Sequence, residues 1–288
     1  MKNFIEYINN LFGIDNQTSA TIIITLSVFI LGFLMTGLFN SIKTEIKRNS
    51  TRKFFKDLLR EIARTADKQS RYFQDFSKIL NIEHEGQFVL KSTPINLLDN
   101  IQKLSLENIS DACHNGIRNP FTNKIRRKAF NKIWLHISSL AFWEERQVYE
   151  LEKFINKFNE HENKRNEELE NWRKISDQMM HPTNTQSIPA QAKPYYEEYD
   201  RIVYKWQTEG QITHYKKVQD ELVDPLRELN RKYKDLPYTL LLNSPLLGVT
   251  NSYNNLKTTL DVYSNQYRSQ YITYKAASRV ISKSIKII

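Results

Sequence analysis

Apolar residues fall into two kinds of pattern along this chain: one unbroken run near the start, then several stripes at helical spacing. The run extends from Ala20 to Phe39, and no charged residue lies between Asp15 and Lys43. About twenty residues at ~1.5 Å rise cover a ~30 Å hydrocarbon core, so the pattern predicts one transmembrane helix over residues 18–42. Leu, Ile, Val and Phe, Phe29 among them, dominate the run. Each contributes roughly −0.3 to −0.6 kcal/mol at a helix centre, which outweighs the scattered Thr, Ser and Gly. Gly32 with Thr36, and Gly37 with Ser41, give a small-xxx-small spacing at which two membrane helices approach closely. That spacing is common in membrane spans and supports association only together with the seam that follows.

The flanking charges set an orientation. Lys2, Glu6 and Asp15 precede the run, whereas Lys43, Lys47, Arg48, Arg52 and Lys53 follow it as a basic collar, continued by Lys56 and Arg60. Positive charge stays on the cytoplasmic side, which places residues 1–17 outside and 43–288 in the cytoplasm, with the protein in the inner (plasma) membrane. A cleaved signal peptide would have a shorter apolar core, a basic segment before it and small residues at the cleavage site. No Cys follows the run where a lipoprotein would need one. In the first segment, Phe4, Ile5, Ile8, Leu11 and Phe12 lie at helical spacing, fitting a short interfacial helix or a frayed end.

Past the collar, Phe55, Leu59, Ile62, Ala66, Gln69, Phe73, Phe76 and Leu80 recur at alternating steps of three and four. This is a coiled-coil or bundle seam with one polar slip at Gln69. No Gly or Pro lies between Gly37 and Gly86, so a single helix from about Thr18 to Leu80 is expected, roughly 95 Å long at 1.5 Å per residue. Gly86 breaks the pattern. Thr93 and Pro94 then read as an N-cap and first turn of a shorter helix with Leu97, Leu98, Ile101, Leu104 and Ile109 buried, stopped at Gly116. Asn119 and Pro120 repeat the start signal, and no Gly or Pro interrupts the chain from there to Met180.

This long segment carries an apolar stripe from Phe130 to Phe158, a polar stretch Asn159–Glu168, then Leu169, Trp172 and Ile175. A linker at 181–194 holds Pro182, Pro189 and Pro194, after which Tyr199, Ile202, Val203 and Trp206 begin a second helical pattern that Val218, Leu222, Leu226, Leu229 and Tyr233 continue. Folded back as an antiparallel hairpin stalk over about 120–235, residue i faces roughly residue 375 − i. The polar stretch Asn159–Glu168 then falls opposite the polar stretch Gln207–Lys216. Asp224 and Pro225 should kink or restart the second arm. Residues 236–248, with Pro237 and Pro245, read as an apolar loop packed on the bundle. A final helix over about 250–288 follows, with Tyr263, Tyr267, Tyr271 and Tyr274 on one face. The fold class is therefore all-α: an N-terminal transmembrane helix continuing into a cytoplasmic bundle with a long helical hairpin.

Composition changes this picture in two ways. Gly (7) and Pro (8) are scarce in 288 residues, as long helices require. The formal charge is +10, to which residues 1–42 contribute −1. The remainder is thus strongly basic and attracted to anionic lipid or nucleic acid. For a chain already tethered beside an anionic leaflet, lipid needs no further assumption, at about 1 kcal/mol per basic residue near the surface; nucleic acid is the lesser expectation. Lys275, Arg279, Lys283 and Lys286 oppose Val280, Ile281, Ile285 and Ile288, which fits a membrane-surface helix or an ordinary terminal bundle helix.

No motif identifies chemistry. Neither phosphate-cradling glycine pattern occurs. The histidines at 84, 114, 136, 161, 181 and 214 are isolated, with no H-E-x-x-H or C-x-x-C, and no cofactor or metal is expected. The single Cys113 rules out an internal disulfide and fits a small core residue, since its neighbour His114 points about 100° away on a helix. Glu144 and Glu145 form a carboxylate pair beside an apolar stripe, which a solvated helix face explains without catalysis. The tyrosine ladder reads first as core seam, then as a groove for a partner helix, and least as a base-stacking surface. These readings lead to a non-enzymatic membrane scaffold or adaptor that self-associates and holds a protein partner near the bilayer. The alternative is a membrane-acting effector of a phage-defence or toxin system, whose cytoplasmic domain controls the span.

Overall fold

The computed structural model describes residues 6–7, 13, 16–84, 86–115, 123–180, 190–208 and 214–288. Among these the protein is all-helical, with no strand. The first helix, α1, runs unbroken from Asn16 to Ile79, 64 residues, as the absence of a breaker after Gly37 allows. Asn81 ends it: its side-chain amide donates to the Lys78 carbonyl at 2.9 Å and its side-chain oxygen accepts from the Glu83 N–H at 2.9 Å. The expected N-terminal interfacial helix, the Gly116 stop, the Asn119-Pro120 start and most of the linker 181–194 lie outside the described residues.

The expected single helix after Pro94 is two. They are α2, Leu97–Gln102, and α3, Leu106–His114. Ser105 starts the second by accepting from the Asn108 N–H at 3.3 Å. No helix begins at Thr93 and Pro94: the Thr93 N–H bonds Gln69 Oε1 at 2.7 Å, the Ile95 N–H bonds Glu144 Oε2 at 3.4 Å, and the first turn closes only where the Leu98 N–H reaches the Ile95 carbonyl at 3.0 Å. Then follow α4, Asn123–Met180, and α5, Lys193–Thr208, with Pro194 in its first turn where a missing N–H costs nothing. Helix α6, Tyr215–Val218, passes through a π-helical turn, Gln219–Val223, into α7, Asp224–Lys232. Pro225 explains the wide turn: its ring would clash with the carbonyl four residues back. The Asp224 N–H instead reaches the Gln219 carbonyl.

The apolar loop expected at 236–248 is a correction. This segment is the start of α8, Pro237–Ser284, with Pro245 inside the helix. Pro237 sits at the first helical position, and the carbonyl that Pro245 leaves unbonded belongs to Leu241, which is 61% exposed. Leu242, Leu246 and Val249 keep helical spacing and are buried.

Two compact units divide the chain. One comprises Met1–Glu61, Asp99–Ile133 and Ser282–Ile288. Its core sets Phe55 against Phe130, ring centroids 6.1 Å apart, with Leu59, Ile101, Ile109 and Cys113 buried. The other comprises Ile62–Leu98 and Trp134–Ile281. There α1 and α8 run antiparallel: Ser278 Oγ donates to the Ala63 carbonyl (2.8 Å) and Ser264 Oγ to the Ser77 carbonyl (2.7 Å), and Lys275 pairs with Asp67 (2.5 Å). Helix α4 also runs antiparallel to α8, through Glu144–Tyr274 (3.0 Å) and Glu150–Gln266 (3.1 Å), while Phe76 of α1 meets Phe154 of α4 edge-on at 6.2 Å. A further core in this unit gathers Trp172, Tyr195, Tyr199, Trp206, Leu222, Leu226 and Leu246.

These registers bring Gln69, Gln147 and Gln270, one from each helix, to about the same level. All three are buried. Gln147 Nε2 donates to Ser92 Oγ at 3.2 Å, and with the Gln69 and Glu144 bonds this fastens the irregular segment 92–95 across the bundle. Gln69 Nε2 and both polar atoms of the Gln270 amide are buried without a protein partner.

Candidate functional site

The surface of the first part of α1 is apolar on every side. Ile24, Val28, Phe29, Leu31, Phe33, Leu38 and Phe39 are all exposed, Phe33 by 74%, and Ala20 is half-buried. This is one helix long and apolar enough to cross a membrane, and none of its most apolar stretch is covered by the protein. Its threonine hydroxyls are satisfied internally: Thr21, Thr25 and Thr36 donate to the carbonyls of Gln17, Thr21 and Gly32 at 2.8–2.9 Å. In hydrocarbon an unpaired donor would cost several kcal/mol (roughly 2–7), so these back-bonds suit an apolar surrounding. Open space surrounds Gly32 and Gly37.

The collar divides. Lys43, Lys47 and Lys53 are exposed. Arg48 is turned onto α3, with Nε 2.8 Å from Asp111 Oδ2 and Nη2 3.1 Å from Oδ1. Arg52, 4% exposed, donates to the carbonyls of Ala112 (2.7 Å) and Asn115 (3.3 Å) at the end of that helix. A cation at a helix C-terminus satisfies carbonyls that have no partner in the helix and opposes its dipole. The Arg48 guanidinium and the Asn115 amide hold the Asp111 carboxyl below its ordinary range. Periodicity alone gives no sign that these two arginines bind the chain's own helix.

Three of the four tyrosines form core seam. Tyr263, Tyr267 and Tyr274 are buried and Tyr271 is half-buried. Tyr267 meets Phe76 edge-on at 4.8 Å, Tyr274 meets Phe73 at 5.0 Å, and Tyr263 meets Phe154 at 5.1 Å. At the C-terminal end, Ile281, Ile285 and Ile288 are buried, so the apolar face that a membrane-surface helix would insert is already occupied. Arg279, Lys283 and Lys286 remain exposed, and Lys275 is paired with Asp67.

Glu144 and Glu145 part company. Glu145 is exposed, as expected of a solvated helix face; Glu144 is half-buried, accepting from the Tyr274 hydroxyl and the Ile95 N–H. Burial raises its pKa, against the effect of those two donors. Cys113 is fully buried and its thiol is pushed up to about 11 by desolvation, which makes it inert as a nucleophile. Sequence reasoning passed over a cavity in the second unit, where His84, Phe88, Phe158 and Tyr215 come together; these residues lie far apart in the chain and share no motif.

Compared with protein-family models, curated proteins and solved structures, the chain finds no match.

Proposed function

We propose that this chain is a non-enzymatic, membrane-anchored helical scaffold that crosses the inner membrane once. Its N-terminus lies outside, its bulk lies in the cytoplasm, and it holds a partner near the bilayer while associating with itself. The observation that carries the reading is the helix from Ala20 to Phe39, apolar on all sides and uncovered, followed by exposed Lys43, Lys47 and Lys53. Such a surface needs a surrounding as apolar as itself, and the lysines favour the cytoplasmic leaflet.

The hairpin reading draws support from the Tyr199 hydroxyl, which donates to Ser176 at 2.8 Å, on the register expected from sequence. The scaffold reading draws support from α4. Leu135, Phe142 and Tyr149 recur every seven residues and are 68%, 47% and 58% exposed. Apolar side chains at that spacing form one stripe along a helix, as in coiled-coil partners.

Two measurements test this. Alkaline extraction should leave the chain in the membrane pellet, with a C-terminal fluorescent reporter active inside and an N-terminal phosphatase reporter active outside; release into the supernatant overturns the anchor. A photo-crosslinking residue at Phe142 should trap a second copy or a defined protein, and Phe142→Glu should abolish the adduct. Monomer alone at Leu135, Phe142 and Tyr149 overturns the scaffold. Dye entry on expression would instead identify the membrane-acting effector.

A further inference from the structure

Helix α4 carries a second stripe besides the one it turns into the bundle. Leu140, Gln147 and Phe154 are buried there. Leu135, Phe142 and Tyr149 lie about 140° further round the same helix, at ~100° per residue, and all three are exposed. A leucine and two aromatic rings repeated in one exposed line, over ~21 Å of helix, mark a contact surface.

The charges beside the stripe decide what fits it. Glu145 and Glu152 come three residues after Phe142 and Tyr149, on one edge at about −60° from the stripe; Arg146 and Lys153 come four residues after them, on the other edge at about +40°. All four are exposed. The Arg146 guanidinium lies over the Phe142 ring, 4.8 Å from its centroid, so the basic edge borders the apolar line directly. The stripe has an acidic side and a basic side, in the same order at both levels.

Symmetry then separates the two ways in which such a stripe can meet itself. About a two-fold axis along the helices, the acidic edge of one copy faces the basic edge of the other, and each apolar residue meets its own counterpart. Glu145 and Glu152 then stand beside the second copy's basic row at the same level. In an antiparallel pair the same edges meet, acid on acid and base on base. Flanking charges of this kind set partner and orientation in helix pairs, and closed two-fold dimers are the commonest assemblies.

We propose that the partner of this stripe is a second copy of the chain, with the two α4 helices parallel and in register at Phe142. The inference rests on the scaffold reading and narrows its partner to this one.

The test is disulfide trapping of the full-length chain in membranes under copper phenanthroline. Leu135→Cys alone and Tyr149→Cys alone should each give covalent dimer, because the in-register pair brings each position to itself. The unmodified chain, whose single cysteine Cys113 is buried, and Arg268→Cys, exposed on α8, should give none. In the Leu135→Cys background, Glu145→Lys with Glu152→Lys, or Arg146→Glu with Lys153→Glu, should each lower the dimer yield about fivefold or more, since both edges then carry one sign. Expressed together, those two chains should regain it as a mixed dimer. Dimer that appears only when Leu135→Cys and Tyr149→Cys chains are mixed, a yield that charge reversal leaves unchanged, or equal dimer from Arg268→Cys overturns the proposal. So does a photo-adduct at Phe142 with a different protein alone, which leaves the scaffold reading standing; the absence of any adduct removes both.

Discussion

Asp67 and Asp111 each hold a cation, and their carboxyls are depressed chiefly by hydrogen bonds from Lys275 and Arg48 respectively. Since the unfolded chain takes up these protons first as pH falls, the stability they supply is complete above the ordinary carboxylate range of ~3.9 and is lost as pH drops through their folded values. Urea melts should therefore weaken between pH 5 and pH 3, and an Asp67→Asn, Asp111→Asn double variant should show a flatter decline (~pH 5 to ~3). Glu144 has the opposite sign. Its pKa is raised, so the folded state binds the extra proton, and its contribution to stability falls as pH rises from ~4.3 through the raised value. Both groups that meet it donate to it, Tyr274 O–H and Ile95 N–H, and a leucine at this position offers an acceptor to neither. Glu144→Leu should speed amide exchange at Ile95 while leaving helix content unchanged, and unaltered exchange would contradict the bond. Neither role was legible in the sequence, where Glu144 and Glu145 look alike and only the helix register tells them apart.

At the scale of elements, the glutamine layer stands out because its hydrogen-bonding capacity exceeds its partners. A buried amide left unpaired costs ~1–3 kcal/mol, so Gln270→Leu should raise the melting temperature. Gln69→Leu should gain less, because it also removes the acceptor of the Thr93 N–H; equal gains would show that this bond contributes nothing. Much of the helical framework was legible: the long first helix, its end near Leu80 and the tyrosine seam follow from spacing and from missing breakers. Proline was read too strongly. Around Pro94, side chains from two other helices hold the N–H groups of Thr93 and Ile95, and the helix starts only at Leu97. At Pro237 the missing N–H falls at a helix start, and at Pro245 the carbonyl left unbonded belongs to Leu241, an exposed residue, which lowers the penalty that the loop reading assumed. Gln69 looked like a slip in a seam, because its two counterparts lie 78 and 201 residues further along the chain.

For the whole molecule, the proposed anchor makes a quantitative demand. Lys at the centre of a span costs ~2.5–3.5 kcal/mol on insertion scales. Leu31→Lys combined with Leu34→Lys should thus shift the chain from membrane pellet to soluble or aggregated fractions, whereas Leu31→Ile should not. On such a membrane the Arg48–Asp111 and Arg52–Ala112 contacts place α3 in competition with lipid headgroups for the same two guanidiniums. A bilayer rich in anionic lipid offers those arginines a rival set of oxygens, at about 1 kcal/mol each, and so pulls against the docking of the short helix; a neutral bilayer leaves it seated. With the proposed anchor in place, the composition of the leaflet would be thermodynamically linked to a contact inside the protein, and salt, which screens the lipid contacts and the part-exposed Arg48–Asp111 pair alike, would weaken both sides of that contest.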